Sequence, residues 1–241
     1  MKNNWKLEPL NSKKLAIYQS VHGYRFTIDS VLLAHFALLE KEAKLLADLG
    51  TGSGVLPLLL STRIPKAKIT GFELQPQMVA MAEASVYFNG LQQQIEIIEQ
   101  DLRFIPGNFS NMYDHVFANP PYFRSGSSVI NPKEEKAIAR HEVECTLEQV
   151  IEAAAKLLKE GGFLHLVTRV ERLVEALNLL PKYKLYPSRL RMVHAYSSSD
   201  AYLFLLSAKR IKKLDLVVEP PLVIFFDKGK YTEEVLHYFN G

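Results

Sequence analysis

From Lys44 onward the chain alternates short apolar runs with longer amphipathic stretches of helical period, a pattern that permits little besides helices packed on a mostly parallel sheet. Lys44–Leu49 is a first strand, followed by a helix from about Gly54 to Thr62. Lys68–Glu73 is a second strand; the next helix is opened by Gln75-Pro76, with proline in an allowed first-turn position, and closed by Asn89-Gly90. Glu96–Glu99 and Tyr113–Ala118 are the third and fourth strands. The polar stretch Arg124–Ala139 is too long for an ordinary connection and is a candidate substrate loop. Thr146 with Gln149 makes a capping box for a helix running to Gly161-Gly162, and Phe163–Thr168 is a fifth strand. Leu190–Ala195 and Tyr202–Ala208 flank the polar turn Ser197-Ser198-Ser199-Asp200, so the sheet is expected to finish in an antiparallel hairpin. Leu216–Phe226 contains Pro220-Pro221 and is at best an edge or bent strand.

Ahead of this core, Leu15 to Phe26, interrupted by Gly23, reads as a short hairpin or extended segment. Thr27 or Asp29 can then cap a helix carrying Val31, Leu32, Phe36 and Leu39. No repeat and no Pro/Gly/Ser-rich linker divides the 241 residues, so one domain is expected, with residues 1–43 an extension on a core of 44–241. At 48% hydrophobic and 23% charged the composition excludes a disordered chain. No uncharged apolar run approaches the roughly 18–20 residues of a membrane span, and the polar, basic first residues show no signal peptide. A single cysteine, Cys145, excludes an internal disulfide framework and zinc sites built on paired cysteines, and suits a cytoplasmic protein. The seven histidines show no HxxxH or carboxylate partner at metal spacing, so no metal site is expected. The net charge of +3 is unevenly spread: residues 1–28 hold five Lys/Arg against Glu8 and residues 182–213 hold eight against Asp200, a sum of +11 that leaves −8 elsewhere. Were these stretches to meet in space, they would make the one-sided positive surface of a polyanion binder; otherwise they are solvated lysines.

Asp48-Leu49-Gly50-Thr51-Gly52-Ser53-Gly54 lies between the first strand and its helix, where glycines permit a tight turn and close backbone approach to a ligand. The spacing is GxGxG rather than the GxGxxG of dinucleotide sites, and Asp48 would suit an ammonium group and repel a pyrophosphate, so NAD is disfavoured. Glu73, closing the second strand, can take both ribose hydroxyls of a nucleoside, and Asp101, after the third, can accept from an adenine amino group. Each carboxylate alone is equally a helix cap or a solvated turn. Three in succession at the carboxyl ends of strands one to three read as contacts for S-adenosylmethionine (SAM), with Gly50, Thr51, Gly52, Leu74 and Leu102 beside them.

Asn119-Pro120-Pro121-Tyr122 ends the fourth strand and is the most specific motif in the chain. An exocyclic amine is a poor nucleophile because its lone pair is delocalised into the ring. Two fixed acceptors, the Asn119 side-chain oxygen and the Pro120 carbonyl, can bind both N–H groups and favour a pyramidal nitrogen aimed at a methyl sulfonium. Proline holds that carbonyl stiffly. Tyr122 can stack on a flipped base, a contact worth roughly 1–3 kcal/mol. No strong general base is required, because the nitrogen becomes acidic once methylated, and positioning supplies much of the rate. A purely structural Pro-Pro turn is the plain alternative.

Here the chain resembles the class I SAM-dependent methyltransferases that modify amino groups. Gly23-Tyr24-Arg25-Phe26-Thr27-Ile28-Asp29-Ser30, Phe72-Glu73-Leu74-Gln75, Asn89-Gly90-Leu91, the NPPYF segment, Ala139-Arg140-His141-Glu142 and Gly229-Lys230-Tyr231-Thr232 are similar to the bacterial tRNA1(Val) adenine-37 N6-methyltransferase family, from about Leu15 to the C-terminus. The resemblance implies a Rossmann-like α/β fold with a mostly parallel seven-stranded sheet, a C-terminal antiparallel hairpin and helices on both faces. It implies SAM held by Gly50, Gly52, Glu73 and Asp101, with Phe26 and Asp29 at its methionine end, and an adenine site at Asn119 to Tyr122. The implied partner is tRNA, with no membrane and no obligate protein partner. Arg124, Lys133, Lys136 and Arg140 are candidates for phosphates in the polar loop, and Lys209, Arg210, Lys212 and Lys213 for RNA backbone along the C-terminal hairpin. Rivals share the core motif: rRNA guanine-N2 and protein glutamine-N5 methyltransferases, DNA adenine methyltransferases with their extra recognition domain, and an RNA-binding protein that kept the fold without the activity.

Overall fold

The computed structural model describes residues 5–10, 15–21, 27–120, 145–211 and 215–240. Strand β1 (Trp5–Pro9) pairs antiparallel with β2 (Ala16–Ser20). The extended segment expected from Leu15 therefore contributes one strand, and its partner is the polar-looking stretch upstream. That partner is hard to read because β1 stays half exposed while β2 buries Ile17. The hairpin is tied to helix α3 (Pro76–Phe88) and its C-cap: Tyr18 N donates to Ser85 Oγ at 3.0 Å, and Ala16 N donates to Asn89 Oδ1 at 3.0 Å. Helix α1 (Ile28–Phe36) follows, with Thr27 at its N-cap position as expected. Its last carbonyls are held by two arginines: Arg63 donates to Ala34 O and Ala37 O, and Arg189 donates to Phe36 O at 2.8 Å while stacking on the Phe36 ring.

The central sheet is built from β3 (Leu45–Leu49), β4 (Lys68–Glu73), β5 (Ile95–Glu99), β6 (Tyr113–Ala118), β7 (Leu158–Arg169), β8 (Tyr186–His194) and β9 (Ala201–Lys209). Two short strands, β10 (Val217–Val218) and β11 (Leu222–Val223), both pair parallel with β8 on the outer edge. Across the sheet the order is β10-β8-β9-β7-β6-β3-β4-β5, and β9 is antiparallel to both its neighbours. The expected seven long strands and terminal hairpin are present. The count rises to nine because the apolar run after Leu216 is cut at Pro220-Pro221 into two strand fragments, proline having no N–H for a ladder.

Helices α2 (Val55–Arg63) and α3 follow β3 and β4; Pro57 sits in the first turn of α2, where its missing N–H costs nothing. Helix α4 (Leu147–Leu157) opens on the expected capping box, with both reciprocal bonds between Thr146 and Gln149 formed. It stops at Leu157, short of the expected Gly161-Gly162, and the chain passes directly into β7. The glycines instead make an irregularity inside that strand. Gly161 has φ +80°, and a Cβ on Gly162 would stand 2.9 Å from Asp114 O. Helix α5 (Leu173–Leu179) leads to β8. A small hairpin, β12 (Phe225–Asp227) with β13 (Lys230–Tyr231), precedes the last helix, α6 (Glu233–Asn240). One apolar core lies between the sheet and α1, α2 and α6, the other between the sheet and α4 and α5.

Candidate active site

Chain order reverses between β3 and β6, so the carboxyl ends of these adjacent parallel strands open a crevice. Leu49 pairs with Ala118, which sets Gly50 and Asn119 at one level on neighbouring strands. Gly50, Gly52 and Gly54 then take φ of +73°, +57° and +88°, a region that costs an L side chain roughly 1–2 kcal/mol. Gly50 N and Thr51 N both donate to Phe72 O, at 2.9 and 3.0 Å. Glu73, buried at the end of β4, accepts Gly52 N on Oε2 at 2.8 Å and Gln75 N on Oε1 at 2.9 Å. The loop is thereby stitched to β4 by its own backbone. A Cβ on Gly71 would stand 2.9 Å from Thr51 Cγ2, so this glycine lets Thr51 lie against β4. Sequence reading passed over Gly71, although a lone glycine within a strand marks such an approach.

Asp48 is 1% exposed, and neither carboxylate oxygen has a hydrogen-bond partner; the Thr51 hydroxyl beside it has none either. Burial pushes the Asp48 carboxyl up to about 7; the Thr51 hydroxyl works against this and the Glu73 charge adds to it. An ammonium group is the partner that would restore the ionised form. Ser30 of α1, Asp48, Thr51, Ser53 and Asn119 line one small cavity. Asn119 Nδ2 donates to Ser30 Oγ at 3.1 Å. Sequence reading gave Ser30 and Ser53 no role; the available signal for Ser30 was a hydroxyl next to Asp29, just ahead of the apolar run Val31-Leu32-Leu33. Next to it Asp29 is buried and accepts Thr27 Oγ1 at 2.7 Å.

Further along the strand ends, Asp101 caps the turn Leu102–Phe104 and is engaged by Arg103, whose guanidinium lies 2.6 Å away and holds the carboxyl below its usual range. An adenine amino group at Asp101 would have to share it with that guanidinium. Leu74 is exposed and Leu102 half-buried. These groups fit SAM by their own chemistry: an unpaired buried carboxylate for its amino group, backbone without Cβ atoms at Gly50 and Gly52, and carboxylates at the next two strand ends. Pro120 is buried beside Asn119. Phe26, Pro121, Tyr122, Arg124, Lys133, Lys136, Arg140, Lys212 and Lys213 lie outside the described residues. Among the described residues no His/Cys/Asp/Glu group could hold a metal, and no helix is long and apolar enough to cross a membrane.

The expected RNA contacts at Lys209 and Arg210 are not brought to this crevice. Because β9 is antiparallel, its end lies at the opposite edge of the sheet: Lys209 pairs with Phe163, which pairs with His115, four residues and so about 13 Å down β6 from Asn119. Arg210 is also occupied, donating to Asn111 Oδ1 and Leu158 O. It is the hairpin tip, Ser197–Asp200, that reaches the edge carrying the glycine loop. Among the described residues, the β1–β2 hairpin, which carries Lys6, packs on α3 near β5, whereas β9 is five strand spacings, about 24 Å, away.

A family model described as methyltransferase small domain matches residues 27–182. The chain is 31% identical over 189 residues to the tRNA1(Val) (adenine(37)-N6)-methyltransferase of Porphyromonas gingivalis, spanning 75% of this chain and 72% of that one. It is 28% identical over 230 residues to the protein of the same name from Histophilus somni, spanning 95% and 94%. Among solved structures, a predicted O-methyltransferase of Agrobacterium tumefaciens matches with a TM-score of 0.69 at 21% identity, over 88% of this chain and 97% of that one. TYW2 of Pyrococcus horikoshii in complex with MeSAdo matches with a TM-score of 0.60 at 14% identity, over 88% and 73%. Likeness at these identities shows the fold alone, that of the class I methyltransferases. With a glycine loop and a set of carboxylates that fit SAM at its switch point, the chain is a SAM-dependent methyltransferase and belongs to the methyltransferase small-domain family, and within it to the tRNA1(Val) (adenine(37)-N6)-methyltransferases.

Proposed function

We propose that the protein methylates the exocyclic N6 of an adenine in tRNA, the adenine at position 37 of a valine tRNA, acting in the cytoplasm as a single domain without an obligate protein partner. The observation that carries this reading is Asn119, its amide anchored on Ser30, in the same cavity as the unpaired Asp48 and the glycine loop. The names of relatives that match nearly end to end support the choice of tRNA. Bound SAM supplies a methyl group on a sulfonium. Asp48 pairs with its ammonium, Phe26, Asp29 and Thr51 border the methionine end, Glu73 takes the ribose hydroxyls, and Leu74, Asp101 and Leu102 surround the adenine ring. Asn119 Oδ1 and the Pro120 carbonyl accept the two N–H groups of the target amine, with Pro121 stiffening the turn and Tyr122 stacking on the base. The amine lone pair so held would take the methyl group as the S–C bond gave way to the new N–C bond, and the proton shed by that nitrogen would leave to water.

The deciding experiment is methyl transfer from labelled SAM to total RNA and to total protein from a strain lacking this gene, followed by nucleoside analysis. N6-methyladenosine in the tRNA fraction, lost when adenine 37 of a valine tRNA transcript is replaced by guanine, is the expected result. Label in N2-methylguanosine or in protein would move the function to one of the rival classes.

A further inference from the structure

We propose that Ser30 is the positioning residue of Asn119: it anchors the amide by Nδ2 and so makes Oδ1 the end that meets the target amine. The inference rests on the role given to Asn119 above. An asparagine amide has two ends of nearly equal shape, and a half-turn about its last torsion replaces an acceptor by two donors. Turned the wrong way, it would repel the amine N–H groups instead of binding them. In this structure Nδ2 lies 3.1 Å from Ser30 Oγ. A serine hydroxyl can also donate, so by itself it would tolerate either orientation. The surroundings break the tie, because the buried Asp48 lines the same cavity as Ser30 and Asn119. Its carboxylate favours the NH2 end of the amide on the Ser30 side and disfavours its oxygen there.

Ser30 is itself held firmly. It is 7% exposed in the first turn of α1, and the far end of that helix is clamped by Arg63 and Arg189, which reach it from α2 and β8. The amide is thus held by a rigid element, which is how a reacting group is kept within the small tolerance that catalysis allows.

The test compares wild type with Ser30→Ala and Ser30→Thr. Steady-state transfer to tRNA is combined with SAM affinity by calorimetry, and with the Asn119 side-chain NH2 resonances, assigned by their loss in Asn119→Ala. Ser30→Ala is expected to lower kcat about tenfold or more, with the RNA KM and SAM Kd within about twofold. Its Asn119 NH2 resonances are expected to shift and exchange faster with water, and Ser30→Thr, which keeps the hydroxyl, to recover both readouts. An unchanged kcat, a loss that simply follows SAM affinity, or unmoved amide resonances in Ser30→Ala would overturn the proposal. If the extra methyl of Ser30→Thr unfolds the protein, the Ser30→Ala resonances decide alone. A wild-type protein that leaves tRNA adenine unmethylated would sink the substrate reading, while the resonances still test the Ser30 anchor whichever amine is the target.

Discussion

Asp48 combines two opposing demands in one carboxylate. Its folded-state value of about 7 stands well above the 3.8 of an exposed aspartate, so the folded protein holds a proton that the unfolded chain releases. Stability therefore falls as pH rises from about 4 to about 7, by an upper limit of about 4 kcal/mol. Asp48→Asn is expected to raise the urea midpoint of the ligand-free protein at pH 8, with little change at pH 4. Cofactor affinity runs the other way, because the ammonium requires the ionised form. Calorimetric SAM affinity is expected to weaken roughly tenfold from pH 8 to pH 6 and to lose that slope in Asp48→Asn. A flat profile in the wild type would remove the ammonium assignment. Glu73 differs in that both its oxygens already bind backbone N–H groups. In Glu73→Gln, one of those donors must face an NH2 group, a mismatch costing about 1–3 kcal/mol, so this variant should weaken SAM binding although it keeps the shape. Unaltered affinity there would mean that neither the ribose contact nor the loop clamp depends on the charge.

Among the elements, β6, β7 and β9 carry a buried polar chain that the cofactor site does not use. Ser207 lies 2.8 Å from His165 Nδ1, His165 Nε2 lies 3.0 Å from His115 Nδ1, and His115 Nε2 lies 2.8 Å from Glu40. The Glu40 carboxylate must accept, so neutral His115 donates from Nε2, His165 donates to His115, and the Ser207 hydroxyl donates to His165. Every group is satisfied with both rings neutral, and burial favours that state by lowering both pKa values, that of His165 well below the usual range. Unfolded histidine binds protons below about 6.5, so folding stability is expected to fall as pH drops through that value, by up to about 1.4 kcal/mol per pH unit for each ring. Urea midpoints at pH 7.5 and 5.5, measured in the Asp48→Asn background so that the opposing titration of Asp48 is absent, would show the drop, with His165→Gln reducing it; an equal drop with and without His165→Gln would place the titration elsewhere. None of this chain was legible in the sequence, because its members are 42 to 75 residues apart and meet only through strand pairing. The strands Lys68–Glu73 and Tyr113–Ala118, by contrast, were legible to the residue, since each is a short strand-prone run closed by turn residues, Gln75-Pro76 after the first and Asn119-Pro120 after the second. The end of α4 was not, because Leu158-Lys159-Glu160 suits a helix and only the sheet draws it into β7. At the site, the glycine loop and Asn119 could be read from local spacing, whereas Ser30 and Gly71 matter only through what they touch across the fold.

At the scale of the whole molecule, charge is set by topology more than by count. The sequence holds eight Lys/Arg in residues 182–213, yet β8 and β9 run in opposite directions and send their ends to opposite edges of the sheet. Lys209 is carried to the edge away from Asn119, where its ammonium lies over the Phe163 ring. Arg169 is carried to the edge that holds the crevice, as the last residue of β7, next to β6, with a side chain 44% exposed and a loose 3.7 Å contact to Glu171. An anticodon stem-loop with its base in the crevice would meet the edge that carries Arg169, whereas Lys209 sits on the opposite edge of the sheet. For that fragment, Arg169→Glu is expected to weaken binding and to reduce the slope of log affinity against log salt by roughly 0.7–0.9, the signature of one lost phosphate contact. Lys209→Glu is expected to leave both the slope and the transfer rate at their wild-type values. A reduced slope in Lys209→Glu, with Arg169→Glu unaffected, would mean that the RNA lies along the amino ends of the strands, on the far side of the sheet from the crevice.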